Sequence, residues 1–100
     1  MAIPVDVYLI SVSYRVDGLM QRIPVETKRK VIGLVGSISA SEFFEAGRSG
    51  LKPQCRVSLF APDYNGEIAV ELDGTRYGVY RTYTPKDDTI ELYLERKAGV

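Results

Sequence analysis

The sequence predicts an all-β, mainly antiparallel fold: a small β-barrel of six to seven strands, with one short helix carried in a long loop. Three observations predict it. Apolar and β-branched residues alternate with polar ones at period two along most of the chain. Turn signals interrupt that pattern at short, regular intervals, and helical periodicity occurs once, behind a capping sequence. Many short strands favour closure, because an open sheet edge invites association with other chains.

Val5 to Tyr14 sets Val5, Val7 and Leu9 with Ser11 on one face, and Tyr8, Ile10, Val12 and Tyr14 with Asp6 on the other. Both faces are apolar around Val7 to Ile10, so both are expected to be covered there. Arg15 to Arg22, with Asp17-Gly18, reads as a loop, and Pro24 places the next strand from about Val25 to Ile38. Gly33 and Gly36 are expected to weaken or kink that strand. Ser39-Ala40-Ser41-Glu42 fits a capping box, in which Ser39 accepts from the Glu42 amide and the Glu42 carboxylate reaches back to the Ser39 amide. Ala40, Phe43, Phe44 and Gly47 then follow helical spacing, Gly47 or Gly50 ends the helix, and Pro53 forbids its continuation.

The second half reads as a meander. Gln54 to Ala61 places Cys55, Val57 and Leu59 opposite Arg56, Ser58 and Phe60, and Pro62 to Gly66 turns the chain. Glu67 to Leu72 sets Ile68, Val70 and Leu72 on one face. Asp73-Gly74 fits a two-residue type I′ hairpin, and Thr75 to Thr84 returns with Tyr77, Val79 and Tyr83 against Tyr80 and Gly78. After Pro85 to Asp88, the strand Thr89 to Arg96 carries Ile90, Leu92 and Leu94 inward and Glu91, Tyr93 and Glu95 outward.

One domain spanning residues 1–100 is expected: a chain of this length buries roughly 60 to 70% of its unfolded surface, enough for one core. The absence of His and the single Cys exclude His-based acid–base chemistry, disulfide frameworks and four-cysteine zinc sites. Thirteen Lys and Arg balance thirteen Asp and Glu, with no charged tail, which argues against binding nucleic acid through bulk charge. Residues Met1 to Ile10 carry no secretion signal and no apolar run approaches the ~20 residues that span a bilayer, so an intracellular or particle-bound protein with no membrane partner is expected.

Candidate chemistry is sparse, and no enzymatic activity, cofactor or metal is expected. Asp87 and Asp88 sit in a turn, and Glu91 and Glu95 fall on the solvent face of a strand. Asp63, Asn65 and Glu67 resemble a calcium loop only in part, lacking the later glutamate. Cys55 has no His to activate it. Ser49 to Lys52 matches S-x-x-K, but Gly50 and Pro53 deny it the helix that this dyad needs. The alternative function is an OB-like barrel binding single-stranded nucleic acid, with Tyr77, Tyr80 and Tyr83 as a stacking platform beside Arg76 and Arg81. Gly47 to Gly50 is a formal G-x-x-G, but no helix follows it.

Two segments exceed what a self-contained barrel needs. Arg15 to Pro24 exposes Leu19, Met20 and Ile23, and Ser39 to Pro53 carries Phe43, Phe44 and Leu51. A partner surface is the simplest cover for them.

The wording of the chain also carries a resemblance. Gln21-Arg22-Ile23-Pro24-Val25-Glu26-Thr27, then Ser37-Ile38-Ser39 and Ser41-Glu42-Phe43-Phe44-Glu45-Ala46-Gly47, then Gly50-Leu51-Lys52-Pro53, resemble the head closure (head-tail joining, or stopper) proteins of long-tailed bacteriophages. Phe60, Asp63 to Glu67, Gly74 to Tyr77, Val79 to Tyr83 and Ile90 to Glu95 are similar to the same family in order and spacing. The resemblance implies a small β-barrel that forms a ring, usually dodecameric, below the portal and its adaptor, closes the DNA-filled head and docks the tail. It implies a portal-adaptor protein and tail proteins as partners, and packaged DNA blocked in the channel without sequence-specific binding. It implies a virion location at the head-tail interface, with assembly in the host bacterial cytoplasm. By analogy, subunit and partner contacts fall on Arg22, Ile23 and Pro24 and on Phe43, Phe44, Gly47 and Leu51.

Overall fold

The computed structural model describes residues 3–85 and 87–96; Lys86, in the fourth expected turn, lies outside them. Alternating side chains build β1 (Ile3–Val16), β2 (Arg22–Gly36), β3 (Pro53–Phe60), β4 (Ala69–Leu72), β5 (Thr75–Tyr83) and β6 (Thr89–Glu95), with helix α1 (Ala40–Arg48) between β2 and β3. All strand pairs are antiparallel, and the order β1-β2-β3-β6-β5-β4 closes into a barrel where β4 pairs with β1. The strand number is therefore six among the described residues.

The barrel interior is filled by Val7, Leu9, Val31, Val57, Leu59, Val70, Leu92 and Leu94, the residues that period-two alternation points inward. Each buried side chain of this size stabilises the fold by roughly 1.5–3 kcal/mol relative to exposure. Gly33 is part of this interior: a Cβ there would stand 2.8 Å from the side chains of Val7, Val57 and Leu59. Its role is close approach, and β2 runs through it without a break in register.

Local turn chemistry explains the connections. Asp73 and Gly74 both adopt positive φ, 50° and 79°, as a type I′ turn requires. The α1 C-terminus is a Schellman motif, in which Gly50 at φ 81° lets its own N–H reach the Gly47 carbonyl and the Leu51 N–H reach that of Ala46.

Several expectations need correction. Strand pairing continues past the expected ends, Arg15 with Ile23 and Val16 with Arg22, so the loop from Arg15 contracts to residues 17–21. Pro24 lies inside β2, opposite Tyr14, because at that level β2 has a neighbour on one side only and a missing N–H on the free edge costs no ladder bond. Ile68 precedes β4 and is exposed, the regular strand starting only at Ala69. A bulge between Val79 and Arg81 reverses the parity of β5, so Tyr83 turns outward with Arg81 while Tyr77 and Val79 stay against the core. Tyr93 and Glu95 point away from the barrel axis yet are buried, and Glu91 is half-buried, so the outer face of β6 is covered.

Candidate functional site

The first surface is an arm. β4 pairs with β1 only over Val7–Ile10, and β3 pairs with β2 only over Gly33–Gly36, so Ser11–Val16 and Arg22–Thr27 leave the barrel as a two-stranded ribbon. The molecule is consequently 50 Å long and 25–30 Å across. Its radius of gyration is 14.9 Å, where a compact chain of this length has about 13 Å. The outward face of the arm carries Val12, Tyr14 and Val16, all exposed, with Pro24 and Arg22 beside them; the Arg22 guanidinium lies 4.6 Å from the Tyr14 ring centre. Ile23 and Val25 occupy the opposite face, Ile23 half-buried.

At the arm's tip, Asp17 organises the turn. Its carboxylate accepts the backbone N–H groups of Leu19 and Gln21, and its carbonyl accepts that of Met20. Met20 takes a left-handed φ of 61°, and Leu19 and Met20 stand 78% and 82% exposed. The arm's base is tied down instead: Lys28 reaches Glu71 at 2.9 Å and Arg76 forks onto Glu26 at 2.5 and 3.1 Å. Both pairs span from β2 across β1, whose outward residue at that level is Ile10, 1% exposed. The coverage expected on both faces of β1 is thereby explained.

The second surface is α1, at the other end of β2. Ser39 caps it as expected, accepting from the Glu42 amide at 3.2 Å. The reciprocal bond of the capping box is replaced: the Glu42 carboxylate turns to β5, where Tyr80 Oη donates at 2.9 Å and Arg81 donates through Nη2 and Nε. The Arg81 hydrogen bond, against an opposing burial effect, holds Glu42 below the usual carboxylate range; burial and Glu42 push the Tyr80 hydroxyl up. This clasp and the buried Ala46 fasten one side of the helix. Phe43 and Phe44 face away from the barrel, 51% and 66% exposed, their rings edge-to-face at 5.9 Å. Gly47 is exposed on the same helix, and Leu51 is half-buried just past the cap.

Arg22, Ile23 and Pro24 thus lie together on the arm, and Phe43, Phe44 and Gly47 with Leu51 lie together at α1, but the two groups do not meet. Fourteen steps of β2 separate Arg22 from Gly36, about 46 Å at roughly 3.3 Å per residue. The sequence reading missed Val12, Tyr14 and Val16 as arm residues; their alternation with Ser11, Ser13 and Arg15, continuing without a turn signal, was the available sign.

The remaining candidates are held in local contacts. Glu67, 7% exposed, accepts from the Asn65 N–H at 2.7 Å and from Arg29 at 2.8 Å, while the Asp63 carbonyl takes a second Arg29 bond. Burial opposes the Glu67 charge, but these donors outweigh it and leave its pKa lowered. The loop from Asp63 to Glu67 is therefore tied to β2 through Arg29. Among the described residues no group of three or more His, Cys, Asp or Glu side chains is placed to hold a metal ion. Asp87 accepts from Thr89, Glu91 pairs with Arg56, and Cys55 packs against the core with burial raising its thiol pKa. Tyr77 packs against the core, Tyr80 is bound to Glu42, and Arg81 lies over Tyr93, so these side chains do not share one open stacking face. No helix of the described residues is long and apolar enough to cross a membrane.

No protein-family model, curated protein or solved structure matches the chain.

Proposed function

We propose that this protein is a structural subunit of a bacteriophage head-tail connector, a head closure protein that assembles as a ring beneath the portal and its adaptor. The carrying observation is a closed barrel with large apolar side chains exposed on two separate elements, Leu19 and Met20 on a projecting arm and Phe43 and Phe44 on a clasped helix. A ring of rotated copies needs two different contact patches per subunit, whereas a two-fold dimer needs one. The balanced charge suits a channel wall that stops DNA by shape without gripping phosphates.

Head-tail joining in the phage or prophage that encodes the chain tests this. Deleting the gene is expected to yield filled heads that leak DNA and separate tails, with joining restored by the wild-type protein and impaired by Phe43→Ala. Normal joining without the gene overturns the reading. So does salt-sensitive binding of single-stranded oligonucleotides that is lost in Arg81→Ala or Tyr80→Ala, which belongs to the nucleic-acid alternative.

A further inference from the structure

We infer that Asn65 is a site of spontaneous covalent modification in the folded protein: its side-chain amide is lost through a cyclic imide with Gly66, leaving isoaspartate in the loop that ties to β2. Asn65 is the chain's one asparagine, and glycine follows it. A backbone nitrogen reaches a neighbouring side-chain carbonyl most easily where no Cβ crowds its approach. This chemistry is independent of the connector assembly proposed above.

Three steps of the chain can cyclise in this way, Asp17-Gly18, Asn65-Gly66 and Asp73-Gly74, and the fold separates them. The Asp17 carboxylate is held by the N–H groups of Leu19 and Gln21. Asp73 and Gly74 are pinned between paired strands, Leu72 opposite Thr75, with both φ angles set by the turn. Asn65 and Gly66 lie in the irregular segment between Asp63 and β4, both exposed, and among the described residues neither the Asn65 side chain nor the Gly66 N–H has a hydrogen-bond partner. Space is open as well, since a Cβ at Gly66 would meet nothing within 4 Å.

The step needs no co-reactant but water. The Gly66 nitrogen gives up its proton and bonds to the Asn65 side-chain carbonyl carbon, and the amide leaves as ammonia. Water then opens the imide, and cleavage at the main-chain carbonyl leaves isoaspartate, with the backbone one carbon longer. That extra atom falls between Tyr64 and Glu67, where the Tyr64 hydroxyl donates to the Glu67 carbonyl at 2.6 Å and the Asn65 N–H to the Glu67 carboxylate at 2.7 Å. Both contacts must give. Glu67, 7% exposed, then loses one of the donors that offset the burial of its charge, and its hold on Arg29 loosens.

Peptide mapping by mass spectrometry, with enzymatic methylation of isoaspartate as a second readout, reads this on purified protein held in warm, mildly alkaline buffer. Deamidation at Asn65 is expected, with isoaspartate in its peptide and none at Asp17 or Asp73 over the same time. Asn65→Gln, whose longer side chain closes the ring poorly and whose backbone N–H is unchanged, is expected to abolish the isoaspartate signal, and Gly66→Ala to slow it by roughly tenfold or more. Aged wild-type protein is expected to exchange the amides of residues 64–68 several-fold faster than aged Asn65→Gln. Asn65 staying intact in the folded protein while the urea-unfolded chain deamidates overturns the site, as does isoaspartate arising first at Asp17 or Asp73. Equal exchange in the two aged proteins overturns the loosening.

Discussion

Arg81 holds the Glu42 carboxylate through two nitrogens while its guanidinium rests 4.0 Å from the centre of the Tyr93 ring. One carboxylate therefore carries most of the side-chain linkage between α1 and the sheet, across a polar cleft of about 410 Å³. Glu42→Ala is expected to speed amide exchange in Phe43–Arg48 roughly fivefold, about 1 kcal/mol, with exchange in β6 hardly changed. Unchanged protection in α1 would show that Ala46 packing alone secures the helix.

Gly33→Ala puts a methyl group where Val7, Val57 and Leu59 already stand at 2.8 Å. Overpacking of this kind costs about 1–3 kcal/mol. Thermal unfolding should show a melting temperature lower by at least several degrees. An unchanged melting temperature would mean that β2 can shift away from the core at no cost.

What the sequence made legible divides by range. The Ser39 cap on the Glu42 amide and the Asp73–Gly74 turn are local devices, each working through residues within one turn of itself, whereas the carboxylate half of the capping box goes to Tyr80 and Arg81 on β5. The inward set Val57, Leu59, Leu92 and Leu94 follows from period two alone. Pro24 misled because its cost depends on whether a third strand stands beside β2, and β3 pairs only with Gly33–Gly36. Tyr83 misled because a bulge two residues earlier inverts every side chain after it. The candidate site was legible as two apolar segments. That one lies on an extended ribbon, separated from the other by the length of β2, depends on the unequal strand lengths that pairing creates.

The pH dependence follows from Glu67. Its pKa is lowered from the ordinary 4.5 in the folded protein, so its charged form favours folding. That contribution is complete above about pH 5 and is lost as pH falls through the lowered native value. Glu42 shifts the same way and adds to the effect. Denaturant unfolding between neutral and acid pH should show stability falling below about pH 5. Glu67→Gln should make that fall shallower while lowering stability at pH 7 by about 1–2 kcal/mol, since Arg29 keeps some access to water. An equally steep acid slope in Glu67→Gln would contradict the assignment.

Met20 holds a left-handed backbone at φ 61° on an exposed turn. Relieving that conformation is worth about 1–2 kcal/mol, and glycine returns about 0.4–1 of it through a freer unfolded chain. Met20→Gly should therefore stabilise the isolated protein by about 0.5–1 kcal/mol in denaturant titration. A gain in stability is the expected outcome, and a fall in stability would show that the turn is not strained.

The barrel's seam has a consequence for how the chain comes off the ribosome. β1 and β2 are neighbours in sequence and can pair as soon as both are made, but β1 meets its other partner at Ala69–Leu72, some sixty residues later. Until then, one edge of Val7–Ile10 waits without its hydrogen-bonding neighbour, and such edges are where nascent chains stick to one another. Synthesis order thus makes β4, the shortest strand, the one that ends this exposure.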